Sequence, residues 1–522
     1  MRFRRILFLN TFGCTLFIGS ARADTSASDH TSRPNVLFIL ADDMGWQDTS
    51  VPFADHRTPL NERFHTPNME RLAHEGMKFT QAYACAVCSP SRVSLLTGRN
   101  EAGHGVTQWT FNRADYPTSD LEHPTLAYAD WNWNGLQPAP GWPHAYYTES
   151  LPHRLRTLGY RTMIFGKGHL GAHDTAGADP KSFGFDIRVG GRDAGGPGNY
   201  SGLFKFAANG DLTKPWRAWD LDQYWDQDIH LTEALTLEAK RAIRSAVADG
   251  QPFFCYFAHY APHAPIQPDE RFAPRYRSEG LDETEAAYAS LIAGVDKSIG
   301  DLLTLLEELG VAENTLIVFT SDNGGVSHAY RSMSPPHTHN APLSSGKGSH
   351  HEGGIRIPLL VRWPGVVPAK STNSTPVMIY DWFATLLDAA GDTRPAPCDL
   401  ESLDLLPLLR GEPASASFDR PLVWHFPNFW GPLNHPPVQG PGMGPCSVIR
   451  KGDWKLIYYH GDLSYELFNL AEDLGETKNL AEEEPERVAE LAAQLSDYLT
   501  LRNAPMPIQR ATNIPVSMPS AH

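Results

Sequence analysis

The sequence predicts an α/β protein: a large mixed, mostly parallel sheet flanked by helices, followed by a smaller C-terminal antiparallel α+β unit. Three observations predict it. Short apolar runs alternate with segments of helical period over most of the chain. The polar groups Asp42-Asp43 and Ser321-Asp322-Asn323 stand directly after two of those runs, where open α/β sheets bind ligands. From about Ser415 the rhythm changes to closely spaced strand-like runs.

The elements follow in order. Asn35 to Ala41 is apolar throughout after its first residue, as a strand covered on both faces must be. Thr66 to Gly76 has helical spacing and a glycine stop. Leu151 to Gly159 is a helix, Arg161 to Phe165 a strand, Leu231 to Val247 a helix and Phe253 to Ala258 a strand. Ala286 to Leu309 is a long helix running into a strand at Thr315 to Thr320. Ile357 to Arg362 is a strand, and Val377 to Ala390 reads as a helix. Leu422 to His425, Ser447 to Arg450, Trp454 to His460 and Tyr465 to Leu470 form the later strands, closed by a helix at Pro485 to Leu501. Asn112 to Trp142 and Phe426 to Pro445 are Pro/Gly/Trp-rich and read as long loops, either binding loops or plain surface insertions.

The N-terminus reads as a removable export signal at 1–23, before a catalytic unit at 24–414 and the C-terminal unit at 415–522. Met1 to Arg5 is basic, Ile6 to Ile18 is largely apolar, and Ala21-Arg22-Ala23 is a small-x-small cleavage pattern. Cys14 follows Gly13 as in a lipoprotein signal, but the residues before it fit poorly. The destination is the periplasm or the medium. No later run is apolar enough to span a membrane. The net charge of −16, without a basic tract, excludes nucleic acid as the expected partner. An acidic chain still binds an anion where cations gather in one cleft. An exported chain can carry disulfides, but Cys85, Cys88, Cys255, Cys398 and Cys446 are odd in number, and spacing does not fix a pairing. Cys85 and Cys88 have redox or metal-pair spacing, with no second such pair to complete a zinc site.

The sharpest signal is Cys88-Ser89-Pro90-Ser91-Arg92 with Leu96-Thr97-Gly98 behind it. It sets a thiol and a guanidinium one turn apart at a helix mouth, and both features favour an anion. The segment resembles the C-x-P-x-R signature of the type I, formylglycine-dependent sulfatases, of arylsulfatase type within the alkaline-phosphatase-like superfamily. The likeness continues in order: Pro34 to Gly45, Thr66 to Ala73, Gly166-Lys167-Gly168-His169-Leu170-Gly171, Pro262-His263-Ala264-Pro265, Thr320 to Gly324, and Gly346-Lys347-Gly348 with Glu352 to Pro358. Gly168 departs from the family pattern, which has tryptophan there, and predicts a wider pocket wall.

The resemblance implies that a formylglycine-generating enzyme oxidises Cys88 to 3-oxoalanine during export. It implies a calcium ion held by Asp42, Asp43, Asp322 and Asn323, with the residue 88 oxygen completing the shell; an all-oxygen protein set suits a hard cation. The hydrated aldehyde carries two hydroxyls, one to attack sulfur and one to expel sulfate afterwards, which serine or cysteine cannot do. Arg92 and Lys167 are expected to hold the diol, and Lys347 and His263 the sulfate, with Lys167 also at the substrate. His263 is the expected general acid and His169 the base. His104 either faces the pocket or caps a loop, and Arg356 braces the last motif. The implied reaction is sulfate-ester hydrolysis. The aromatic loops (Trp109, Trp131, Trp133, Trp142, Trp430) suit a sulfated carbohydrate, unless these tryptophans are core. A formylglycine phosphodiesterase and a silent glycan-binding protein are the rival readings.

Overall fold

The computed structural model describes residues 33–110, 123–327, 340–395, 397, 400–429 and 443–520. The expected export signal with Cys14, Cys398, residues 111–122 at the start of the first Trp-rich loop and 430–442 within the second, Trp430 included, lie outside the described residues.

Among the described residues the main sheet has nine strands. They are β1 (Asn35–Ala41), β2 (Met77–Tyr83), β3 (Arg161–Gly166), β4 (Ile187–Gly190), β5 (Phe253–Ala258), β6 (Thr315–Ser321), β7 (Arg356–Arg362), β8 (Ser371–Asn373) and β9 (Val377–Met378). Their order is β8-β2-β7-β6-β1-β5-β3-β4, with β9 also beside β2. From β6 to β4 every pairing is parallel; β7 runs antiparallel to both β6 and β2. β1 lies centrally between β5 and β6, and all seven of its residues are buried. That explains its unbroken apolar sequence: alternate side chains feed two separate cores, Leu37 and Ile39 on one face, Val36 and Phe38 on the other.

The helices cover both faces. They are α1 (Pro67–Glu75), α2 (Cys88–Thr97), α3 (Leu151–Thr157), α4 (Leu231–Ala248), α5 (Glu283–Glu308) and α6 (Asp381–Ala389). α4 and α5 pack on the Leu37 face, and α2 and α6 line the Val36 face. The expected helix at Val377 to Ala390 is corrected: Val377–Met378 pairs with Ala82 and Tyr83 as β9, and only Asp381–Ala389 is helical. The Asp381 carboxylate marks the break, accepting from Met378 N at 2.8 Å.

The C-terminal unit is an antiparallel meander of β10 (Leu422–Phe426), β11 (Cys446–Lys451), β12 (Trp454–Tyr459) and β13 (Tyr465–Asn469), with α7 (Pro485–Leu501) packed on it. Its other face meets the main body, where Trp424 donates its indole N–H to Ala84 O at 2.8 Å. A buried indole needs such an acceptor, and this one lies four residues before Cys88. Cys85, Cys88 and Cys255 are buried free thiols, and Cys446 is buried as well. Among the described residues no helix is long and apolar enough to cross a membrane.

Candidate active site

The carboxyl ends of β1 and β6 are neighbours in register, with Ala41 opposite Ser321. The chain turns there must bring Asp42, Asp43, Asp322 and Asn323 together, and all four are buried. Asp43 N donates to Asp322 Oδ1 at 3.2 Å, and Asn323 Nδ2 donates to Asp43 Oδ1 at 2.8 Å. Asp43 takes a left-handed φ of 66°, a strained turn of the kind that collects at functional sites.

Cations surround these oxygens. The Lys167 Nζ lies 2.9 and 2.8 Å from the two oxygens of Asp42. Arg92, one turn into α2, gives Nε and Nη2 to Asp322 Oδ2 at 2.9 and 2.8 Å and Nη1 to Lys167 O at 3.0 Å. The Lys347 Nζ stands 2.8 Å from Asp43 Oδ1, and His263 Nε2 is 3.7 Å from Asp43 Oδ2. Burial pushes the Asp42 carboxyl well above its usual range, and the neighbouring Asp322 and Asp43 charges push it further, against the pull of Lys167. Asp43 goes the other way: burial raises it, but Lys347 and His263 outweigh that and hold it low.

Cys88 opens α2 and faces His169, with Sγ 3.3 Å from Nδ1. The other ring nitrogen of His169 donates to Thr110 O at 2.7 Å, which fixes the tautomer and leaves the Nδ1 lone pair facing residue 88. Burial, then Lys167 and Arg92, hold His169 well below the usual imidazole range, so it is neutral. His263 Nδ1 donates to Ala264 O at 2.7 Å, which leaves Nε2 toward Asp43. Burial and then Lys347 lower it to about 3. Burial raises the Cys88 thiol.

These groups floor a cleft of about 350 Å³. Cys88, His169, His263 and Lys347 line its base, and Trp109, Trp216, Gly195 and Gly196 line its walls. The expectation that Gly168 widens the pocket is corrected. A Cβ at Gly168 would stand 2.8 Å from Arg192 O and 2.7 Å from Pro180 Cγ. The space is filled by the Pro180 ring and the Arg192 backbone, and the following loop lies against the cleft: a Cβ at Gly195 would lie 2.7 Å from the His169 ring. Trp216 and the Gly195 wall were missed in the sequence; the glycine-rich run Gly190 to Gly198 was the available signal.

Of the two readings of His104, its contacts fit the loop tie and not the pocket. His104 is fully buried, its Nε2 is 3.0 Å from Ser94 Oγ, and its Nδ1 accepts from Val106 N at 3.0 Å. It ties α2 to the following loop and does not line this cleft. Arg356 donates to Thr80 O at 2.9 and 2.7 Å and to Glu352 at 3.2 Å, a bracing contact between strands. Trp131 is core, and Trp133 stacks on His144 at 3.6 Å.

A protein of this fold, with a helix-mouth thiol, an oxygen cluster and converging cations, has the features of a hydrolase that handles an oxyanion. Its family is the sulfatases. The Sulfatase family model matches residues 34–392, and the model described as N-sulphoglucosamine sulphohydrolase, C-terminal, matches residues 346–504. The chain belongs to the sulfatase family, whose members are sulfuric ester hydrolases. It is 30% identical over 536 residues to a protein named Sulfatase from Formosa agariphila, covering 91% of this chain and 90% of that one. It is 32% identical to the N-acetylgalactosamine-6-sulfatase of Canis lupus familiaris, over 79% of this chain and 72% of that one. The crystal structure of Ps i-CgsB in complex with k-i-k-neocarrahexaose is similar at a TM-score of 0.68 and 25% identity, covering 90% of this chain and 93% of that chain.

Proposed function

We propose that this protein is an exported, calcium-dependent sulfatase that removes sulfate esters from carbohydrates, with residue 88 acting as formylglycine. The observation that carries the reading is the cleft floor: residue 88 lies between the His169 lone pair and a buried oxygen cluster with three cations on it.

The residues fit a hard divalent cation. Asp42, Asp43, Asp322 and Asn323 offer oxygen ligands, and the buried Asn323 Oδ1 has no hydrogen-bond partner among the described residues. Asp42, Asp43 and His263 have ligand-type atoms within 4.8 Å of one another. We assign His263 to the substrate side, since it lines the cleft beside Lys347. Calcium supplies Lewis-acid charge when bound, and the aldehyde supplies two hydroxyls on one carbon after hydration.

The chain's own groups then divide the work. Arg92 and Lys167 hold residue 88 and its surroundings through Asp322, Asp42 and the Lys167 carbonyl. The His169 Nδ1 lone pair removes the hydroxyl proton at residue 88. Lys347 and His263 bear on the sulfate oxygens, where charge is distributed in the transition state. A bound sulfate raises the His263 pKa from its depressed value, so that Nε2 can carry a proton to the leaving alkoxide.

Trp109 and Trp216 support a ring substrate, because aromatic faces cover the apolar faces of sugars. The names of the N-acetylgalactosamine-6-sulfatase relative and of the neocarrahexaose complex support the same class. The basic, apolar and Ala21-Arg22-Ala23 pattern supports export to the periplasm or medium, with a formylglycine-generating enzyme as the maturation partner. The test is release of sulfate from sulfated galactosaminyl and carrageenan oligosaccharides, beside matched phosphate esters. Sulfate release that depends on calcium supports the reading; release of phosphate alone overturns it.

A further inference from the structure

A second set of buried charges lies away from the cleft, where the C-terminal sheet meets the loop between residues 344 and 355. Lys455, on β12, is fully buried, and its Nζ is 2.9 Å from Glu352 Oε1 and 2.8 Å from Glu476 Oε1. Glu476 Oε2 accepts from the Glu352 backbone N–H at 2.6 Å. Glu352 Oε2 accepts from Tyr83 OH at 2.7 Å and from Arg356 Nη1 at 3.2 Å, and Arg450 reaches Tyr83 from β11. Burying such a network is costly unless each charge is met. Glu352 is met: burial alone would raise its carboxyl, but Lys455, Arg356 and Arg450 bring it down to about 2. At Glu476 burial outweighs Lys455 and holds the carboxyl up.

The network has a mechanical connection to the cleft. Glu352 ends the loop that carries Lys347. That loop is laced to both halves of the catalytic floor. Lys347 N donates to Gly325 O at 3.0 Å, and Gly324 N to Gly354 O at 2.9 Å, next to the metal-type ligands. Gly348 N donates to Ala86 O at 2.8 Å, and Ala84 N to Ile355 O at 2.9 Å, just ahead of Cys88.

We propose that Lys455 is a positioning residue for Lys347, acting through Glu352, so that the C-terminal sheet sets the geometry of the sulfate site. The inference rests on the assignment of Lys347 to sulfate. A small displacement of an oriented cation is enough to lose much of its effect.

The test is a double-mutant cycle read by calorimetric titration of the calcium-loaded, full-length protein with inorganic sulfate. Lys455→Met weakens sulfate binding about tenfold, and has no further effect in a Lys347→Ala background. Glu476→Gln, which keeps an acceptor for Glu352 N, gives the same pattern and serves if Lys455→Met does not fold. A Lys455→Met protein that melts lower but binds sulfate like the wild type overturns the proposal. So does an equal loss in both backgrounds, which would mark general destabilisation. A wild-type protein that binds no sulfate overturns the parent assignment instead, before any Lys455 variant is measured.

Discussion

The oxygen of one asparagine side chain says most about the metal. Asn323 spends its amide N–H groups on Asp43 and Gly324 O, at 2.8 and 2.9 Å, and leaves Oδ1 buried without a hydrogen-bond partner among the described residues. A buried carbonyl oxygen in that position is costly unless it meets a cation or water. Asn323→Leu therefore weakens calcium binding by at least about tenfold, measured by calorimetry; unchanged affinity removes Asn323 from the ligand set. His104 shows the reverse case. A histidine close in sequence to the Cys88 motif is here a buried linker, with burial lowering it to about 3. His104→Phe lowers stability by about 1–3 kcal/mol through the lost Ser94 and Val106 partners, while sulfate affinity stays as in the wild type. A selective loss of sulfate binding in a stable His104→Phe protein would restore it to the substrate site.

Among the elements, the strands written most plainly in the sequence include those whose burial is total. β1, β5 and β6 lie mid-sheet, so their apolar runs are uninterrupted and their polar ends mark the site. β2 went unread because Met77 to Tyr83 mixes buried and half-buried positions, and β9 was absorbed into a helix because two residues carry no period of their own. Helix packing also depends on charges that sequence does not pair. Asp392, just after α6, lies 2.8 Å from Arg154 on α3 and 2.9 Å from Arg394. Burial raises its carboxyl, but Arg394 and then Arg154 outweigh that and hold it at about 2. A carboxyl depressed on folding stabilises fully above its unfolded pKa, near 4, and loses that contribution as pH falls toward 2. Asp392→Asn should thus lower the melting temperature at pH 6 and converge with the wild type at low pH. A constant difference across that range would show that the charge is not the cause.

For the whole molecule, the site is a meeting of distant segments, and only part of that meeting is written locally. Motif order made Asp42, Cys88, Lys167, His263, Asp322 and Lys347 candidates, and the fold gathers them on one rim: Asp42, Lys167 and Asp322 follow strands, Cys88 opens a helix, and His263 and Lys347 stand on loops. The Trp216 wall, the close approach of Gly195 to His169 and the Lys455 network were not legible. Each depends on where a long connection returns, not on its own sequence. The proposed calcium would bind the assembled floor and not the unfolded chain, and so would stabilise by mass action. Chelation should lower the melting temperature by several degrees, roughly what 1–3 kcal/mol produces in a chain of this length, and added calcium should restore it; no shift would deny a folded-state metal site. The central claim is that residue 88 becomes the nucleophile of a metal-assisted sulfatase. It is tested most directly on protein co-expressed with a formylglycine-generating enzyme, by the mass of the tryptic peptide carrying residue 88 together with sulfate release from an aryl sulfate. The account predicts an aldehyde-mass peptide and turnover that disappears on chelation and in Cys88→Ala. An unmodified thiol with undiminished turnover would contradict it.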